Sequence, residues 1–269
     1  MTFLIVLLIL AVLYLFLIAP RMFHRADRTP FLDRHYAHRG LFDNESDAPE
    51  NSLTAIRKAV EMGYGIEFDV QLSKDGQLVV FHDASLQRMC GVEGKVWEYT
   101  LEELKAFRLL DSEEVIPTLD EVLKAVDGRV PLIIEYKLDR VQTRVCELAE
   151  QLLRAYQGPY CIECFHPLAL MWYRKHRPDV MRGQLCEEHF RNPKYHGNPV
   201  FYIMSYLLTN VMTRPDFIAF KHQHAGNISR RLCRLLGALS VAYTIKSEEE
   251  YRKAREHFEL FIFDSFILK

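Results

Sequence analysis

Apolar residues in this chain fall into three patterns. The first is an unbroken run: Phe3 to Ala19 is nearly all Leu, Ile, Val, Phe and Ala, and no charged side chain occurs between Met1 and Pro20. Twenty helical residues at about 1.5 Å each span roughly 30 Å, the thickness of a bilayer core. No Lys or Arg precedes the run and no clear A-x-A pattern ends it. Residues 1–20 therefore read as a retained transmembrane anchor rather than a removed signal peptide. Arg21, Arg25 and Arg28 follow on one side only. The expectation is a single-pass membrane protein whose remaining residues lie on the cytoplasmic side. Residues 21–33, with mixed charges, Pro30 and no apolar period, read as a linker.

The second pattern is a set of short apolar runs, and the third is a set of amphipathic stretches between them. The runs predict strands at Tyr36–His38, Gly65–Leu72, Pro131–Lys137, Tyr160–Phe165, Val180–Leu185, Asp216–Phe220, Leu239–Thr244 and Leu260–Asp264. A ninth run, Gln77–Phe81, follows the turn Lys74-Asp75-Gly76 and predicts a local hairpin. Helical spacing predicts helices over Ser52–Met62, Leu119–Val126, Asp139–Ala155, Pro167–Lys175, Asn227–Leu236 and Ser247–His257. Thr118 and Ser247 each precede a glutamate by three residues, the spacing of a capping box. Eight strands alternating with helices predict a closed parallel sheet, a (β/α)8 TIM barrel over residues 34–269 preceded by one transmembrane helix. The segment 187–214 is the least regular; Phe201–Leu208 reads as a helix packed on the barrel, the alternative being a second membrane-contacting stretch, too short to span.

Composition narrows the classes. With 49% hydrophobic and 26% charged residues, the chain has enough apolar content for a core and is not a disordered protein. Its 34 basic and 36 acidic residues nearly cancel, which argues against a nucleic-acid partner. The six cysteines are too few and scattered for a disulfide scaffold. Cys161 and Cys164 lie three apart on a strand and so face opposite ways, unable to share a metal or a disulfide.

In a TIM barrel the chemistry sits where strands end, so polar residues there are the candidates. Glu67 and Asp69 are two apart on one strand and face the same way; Glu135 and Lys137 repeat the spacing on the next. Carboxylates turned inward repel unless a cation lies between them. A divalent cation held by Glu67, Asp69 and Glu135 resolves this, and an all-oxygen set selects Mg2+ or Ca2+. Solvated strand residues are the alternative. His38 and His82 come from different strands and can face each other across the mouth as base and acid. Arg39 offers a planar fork and Lys137 a point charge for a phosphate.

The order of these residues resembles the glycerophosphodiester phosphodiesterases. The resemblance is carried by Ala37-His38-Arg39-Gly40, Pro49-Glu50-Asn51-Ser52, Glu67-Phe68-Asp69-Val70, Lys74-Asp75-Gly76 with His82-Asp83, Ile116-Pro117-Thr118-Leu119 and Ile134-Glu135-Tyr136-Lys137. It implies a TIM barrel, metal ligands Glu67, Asp69 and Glu135, an acid/base pair His38 and His82, and phosphate contacts Arg39 and Lys137. It also implies that Glu50 lies at the site, near the metal or orienting a neighbour. The implied reaction is release of sn-glycerol 3-phosphate and an alcohol. In it a substrate hydroxyl attacks phosphorus, the histidines move the protons, and water opens a cyclic phosphate. The substrate is then a small glycerophosphodiester or a lysophospholipid-type molecule, with the N-terminal helix giving access to the membrane.

The second half matches the family less well. Cys164-Phe165 stands for Ser-Phe, Tyr243-Thr244 for Trp-Thr and Phe263-Asp264 for Thr-Asp. These changes bear on the leaving group, for which Lys221, His222 and His224 are candidates. Two other functions fit parts of the pattern. One is a lipid phosphodiesterase or lyase that stops at a cyclic phosphate; the other is a membrane protein that binds phosphorylated ligands without turnover.

Overall fold

A computed structural model describes residues 1–138 and 141–268. Its strands are β1 (His35–His38), β2 (Gly65–Leu72), β3 (Leu78–Val80), β4 (Leu132–Tyr136), β5 (Tyr160–Cys164), β6 (Arg182–Cys186), β7 (Phe217–Lys221), β8 (Leu239–Ile245) and β9 (Leu260–Phe263). β3 runs antiparallel along β2 as the predicted hairpin. The other strands are all parallel, and β1 pairs with both β9 and β2, so the sheet closes. The fold is the (β/α)8 barrel that the alternating pattern predicts.

Strand alternation divides the side chains. Ile66, Phe68, Val70, Ile134, Tyr136 and Ile162 face outward and are buried under the helices. Tyr36, Ile133, Cys161, Met181, Phe217, Val241 and Ile262 fill the lower interior of the barrel. Gly183 on β6 leaves room there for the Phe217 ring: a Cβ at that position would lie 2.0 Å from a ring carbon. Cys161 faces inward and Cys164 outward, as period-two alternation requires, and all six cysteines are free thiols.

Helices form where the caps direct them. Thr118 accepts from the Glu121 amide while the Glu121 carboxylate accepts from the Thr118 amide, a completed capping box at the start of Leu119–Val126. Ser247 caps Glu248–Ala254 by accepting from the Glu250 amide, while the Glu250 carboxylate accepts from the Lys246 amide instead of closing the box. The helix expected from Asp139 is observed over Arg144–Leu153; its first two expected residues lie outside the described ones. Pro199–Ser205 is a helix in the irregular segment, followed by a fully buried Leu207.

The N-terminal expectation needs correction. The apolar helix runs from Thr2 to Ile18, 17 residues, or about 25 Å at 1.5 Å per residue. Among the described residues no helix is long and apolar enough to cross a membrane. The helix ends ahead of Pro20, which has no N–H to continue it and turns Ala19 extended, and the barrel takes its last carbonyls. Asn210 Nδ2 donates to Ile18 O at 2.9 Å, and Arg214 Nη1 donates to Phe16 O at 2.9 Å and Ala19 O at 2.8 Å. Ile18 is buried in the helix–barrel core, and the Tyr14 hydroxyl hydrogen-bonds that of Ser229 at 2.7 Å. The transmembrane anchor over residues 1–20, the membrane as a partner and the single-pass, cytoplasm-facing localisation are therefore not upheld.

Residues 21–33 run along the underside of the barrel. The Arg21 amide donates to Pro215 O at 2.9 Å, and Arg25 Nη2 donates to Leu236 O at 2.9 Å. Phe31 enters the barrel floor and is buried against its inner apolar cluster, while its carbonyl accepts from the Tyr36 hydroxyl at 2.8 Å.

Between β3 and β4 the chain makes an excursion that no simple period predicts. Short helices at Gln87–Cys90 and Leu101–Lys105 surround a separate apolar cluster of Leu86, Met89, Val96, Leu104, Leu109 and Ile116. This excursion lies against the loops that carry the site.

Candidate active site

Strand register sets the first row of the site. His38 on β1 stands beside Glu67 on β2; Asp69 on β2 stands beside Glu135 on β4, which stands beside Glu163 on β5. All of these positions have inward parity at the C-terminal ends of the strands. Glu67, Asp69 and Glu135 are 2%, 1% and 6% exposed, so their charges cannot be carried by water. They offer one oxygen each within 4.8 Å of one another.

The electrostatics of this trio are uneven. Burial, then the neighbours Asp69, Glu163 and Glu135, push the Glu67 carboxyl well above its usual range. Burial also raises Glu135, against the pull of Lys137. Asp69 moves the other way: burial opposes its charge, but Lys137, His82 and Arg39 hold it far below the ordinary range. Lys137 Nζ reaches Asp69 Oδ1 at 2.8 Å and Glu135 Oε1 at 2.6 Å. Asn51 Nδ2 donates to Asp69 Oδ2 at 2.9 Å. Three converging, buried, oxygen-only donors, one of them raised by its neighbours, fit a hard divalent cation.

The turn after β1 presents His38 and Arg39. Arg39 and Gly40 both adopt positive φ, +56° and +81°. A Cβ on Gly40 would lie 2.8 Å from the Ala55 carbonyl carbon, so glycine is required both by space and by conformation. The turn points the Arg39 amide at Glu67 Oε2, 3.3 Å away, and its guanidinium at Glu50 Oε1, 2.7 Å away. Glu50 also accepts from Asn44 and Arg88. Burial works to raise Glu50, but Arg88, Arg39 and Asn44 bring it down to about 2. Glu50 is thus an ionised carboxylate that orients Arg39.

Each histidine is backed by an aspartate. His38 Nδ1 meets Asp264 Oδ2 at 2.8 Å, and His82 Nδ1 meets Asp83 Oδ1 at 2.6 Å. Both aspartates are held below the usual carboxylate range: burial opposes their charge, and His38 with Ser265, or His82 with Arg88, favours it. An ionised carboxylate only accepts, so each Nδ1 is the donor and each Nε2 is left to work. His38 Nε2 lies 3.9 Å from Glu67 Oε2. Burial lowers the His38 imidazole, with Asp264 pulling the other way. The His82 loop is fixed by the Phe81 amide on Asp69 O at 3.0 Å and by Gln71 Nε2 on the Phe81 and Asp83 carbonyls at 2.7 and 2.9 Å.

His38, Arg39, Glu50, Glu67, Asp69, His82, Glu135 and Lys137 are therefore gathered at one mouth. Lys221, His222 and His224 stand at the C-terminal end of β7, and each has a partner there. Lys221 pairs with Glu187 at 3.0 Å, His222 faces Glu250 at 3.5 Å, and His224 Nδ1 accepts from the Glu188 amide at 3.1 Å. Sequence reasoning passed over Asn51, Arg88 and Glu163 and assigned no partner role to Asp83 or Asp264. Inward parity on β5 marks Glu163 directly. Arg88, on an excursion without periodicity, carries no comparable signal.

Fold and site define the class: a (β/α)8-barrel enzyme with a charge-dense mouth that suits a phosphate ester. A sequence profile of the glycerophosphoryl diester phosphodiesterase family matches residues 38–221. The chain belongs to that family, and the expectation of a phosphoric diester hydrolase stands. It is 33% identical over 172 residues to a glycerophosphodiester phosphodiesterase of Bacillus altitudinis, an alignment covering 59% of this chain and 68% of that one. It is 36% identical over 164 residues to one from Caldanaerobacter subterraneus, covering 56% and 65%. The matched segments thus span about two thirds of these relatives' length. Among solved structures, a phosphodiesterase of Oleispira antarctica in complex with sn-glycerol-3-phosphate superposes with a TM-score of 0.71 at 22% identity, over 87% of this chain and 94% of that one. That likeness shows the fold.

Proposed function

We propose that the chain hydrolyses glycerophosphodiesters to sn-glycerol 3-phosphate and an alcohol, with Glu67, Asp69 and Glu135 holding one divalent cation, Mg2+ or Ca2+. The observation that carries this reading is the pair of aspartate-backed histidines beside a buried carboxylate trio. A ligand-binding protein needs no such pair. When bound, the cation supplies charge neutralisation of the phosphoryl oxygens.

The chain's own groups account for the rest. Arg39, oriented by Glu50, and Lys137 bind the phosphate's non-bridging oxygens. The Nε2 of one histidine takes the proton of a substrate hydroxyl as its oxygen bonds to phosphorus. The other histidine, protonated at the start, gives its proton to the departing alkoxide. The product of this step is a cyclic phosphodiester and an alcohol, with the proton states of the histidines exchanged. Water then attacks phosphorus with the roles reversed: one histidine takes its proton, the ring P–O bond to the substrate hydroxyl oxygen breaks, the other histidine protonates that oxygen, and the starting state is restored. Glu67's amide contact from Arg39 keeps the trio and the phosphate-binding side chain in one register.

The test is release of glycerol 3-phosphate from glycerophosphocholine and glycerophosphoethanolamine by the full chain, with Mg2+, Ca2+ or EDTA, followed by phosphorus NMR. The expected result is cation-dependent release, lost about 100-fold or more in Glu67→Ala and His82→Ala. Unchanged turnover in either variant would overturn the assigned roles. A product that stops at the cyclic phosphate would make the chain a lyase.

A further inference from the structure

Arg88 belongs to none of the motifs that mark this site, yet its guanidinium is spent on two of its carboxylates. It stands on the short helix Gln87–Cys90, outside the barrel. Its Nε donates to Asp83 Oδ2 at 2.6 Å and its Nη2 to Asp83 Oδ1 at 3.0 Å. Its Nη1 donates to Glu50 Oε2 at 2.8 Å and its Nη2 to Glu50 Oε1 at 2.7 Å. Two carboxylates are thus each gripped by a two-pronged contact, the geometry that a planar guanidinium supplies and an ammonium does not.

The same oxygens also hold the reacting groups. Asp83 Oδ1 accepts from His82 Nδ1, and Glu50 Oε1 accepts from Arg39 Nη1. Among the described residues the only hydrogen bond to the His82 ring comes through Asp83. The chain His82–Asp83–Arg88–Glu50–Arg39 is therefore continuous, with opposite charges alternating from Asp83 to Arg39. It joins a side chain from the loop after β3 to one from the turn after β1.

We propose that Arg88 is a positioning residue that clamps the proton-transferring His82 and the phosphate-binding Arg39 into one unit, through Asp83 and Glu50. The apolar cluster of the excursion anchors the helix that carries it. Arg88 itself is nearly half exposed at its side chain, so its work is not that of a core residue. Without it, Glu50 keeps Arg39 and Asn44, but among the described residues the Asp83 carboxylate keeps only His82 and is free to turn with it. A displacement of about 1 Å at a proton-transferring group costs on the order of 100-fold in rate.

This inference rests on the proposed roles of His82 and Arg39, and the experiment separates the two. In Arg88→Ala, kcat of the folded protein for glycerophosphocholine is expected to fall roughly 30- to 100-fold, with a lowered but still cooperative melting transition. Millimolar guanidinium is expected to restore a large part of it, because the fork can be supplied in solution. Arg88→Lys, which keeps the charge but not the fork, is expected to remain at least about 10-fold impaired. Independently of turnover, the Nδ1 proton of His82 in 15N-histidine NMR is expected to show its hydrogen bond in the wild type. That signal should weaken or exchange with water in Arg88→Ala and return with guanidinium.

An unaltered His82 signal in Arg88→Ala would overturn the clamp whatever the activity. So would wild-type kcat in Arg88→Lys. A melting temperature that collapses in Arg88→Ala, with Arg88→Lys folded and fully active, would make Arg88 a purely structural tie and would also overturn it. Absence of phosphodiester turnover in the wild type would instead overturn the proposed reaction, while the NMR arm still reads the clamp.

Discussion

Glu50 is a buried carboxylate kept ionised by two arginines, and its charge links the site to the stability of the fold. Its ordinary value of 4.5 is brought down to about 2. A carboxyl depressed on folding stabilises the native state above its unfolded value, and that contribution is lost as pH falls toward the folded value. The window here runs from about 4.5 down to about 2. Glu50→Gln is expected to be less stable than wild type near pH 7, by on the order of 2–3 kcal/mol, with the gap narrowing through that window. Urea midpoints measured at pH 7, 4 and 3 check this; a gap independent of pH would contradict it. The glutamate was legible from its motif, but its task was not. Its sequence neighbours do not reveal that Arg39 and Arg88 converge on it from different loops.

At the scale of elements, the turn Arg39-Gly40 decides how β1 delivers its side chains. Gly40 sits at φ +81°, and a Cβ there would lie only 2.8 Å from the Ala55 carbonyl carbon. Gly40→Ala must distort either this turn or the start of the helix Leu53–Glu61. It is expected to cost about 2 kcal/mol or more in stability, and to lower kcat because His38 and Arg39 precede it. Chemical denaturation together with steady-state kinetics on the folded fraction checks both parts; a fully active, fully stable variant would show that the turn is adaptable. The strands and their caps were readable beforehand because period-two alternation and Thr118-to-Glu121 spacing are local. The excursion between β3 and β4 was not. Its cluster of Leu86, Met89, Val96, Leu104, Leu109 and Ile116 is assembled from short pieces that share no period.

At the scale of the molecule, the barrel is a sealed cylinder, charged at one end and closed by an apolar plug at the other. Phe31, 4% exposed, fills the floor among Tyr36, Phe217 and Ile262. Phe31→Ala should open a cavity there at a cost of about 3 kcal/mol or more, which for a chain of this size lowers Tm by roughly 6–12 °C. Calorimetry checks it, and an unchanged Tm would mean that the floor closes without the ring. The apolar helix Thr2–Ile18 marks the limit of the opposite kind of reading. The apolar run and the proline that ends it are visible in one dimension, but its docking is not: Asn210 and Arg214, some 190 residues away in sequence, take its last carbonyls. By itself the sequence determined the barrel, the inward parity of Glu67, Asp69 and Glu135, and the family, because alternation, caps and motifs are short-range. Only the tertiary structure decided that Asp264 backs His38, that Arg88 joins His82 to Arg39, and that Phe31 closes the floor. Those contacts depend on where the closing of the cylinder brings distant segments together, and no local pattern encodes that distance.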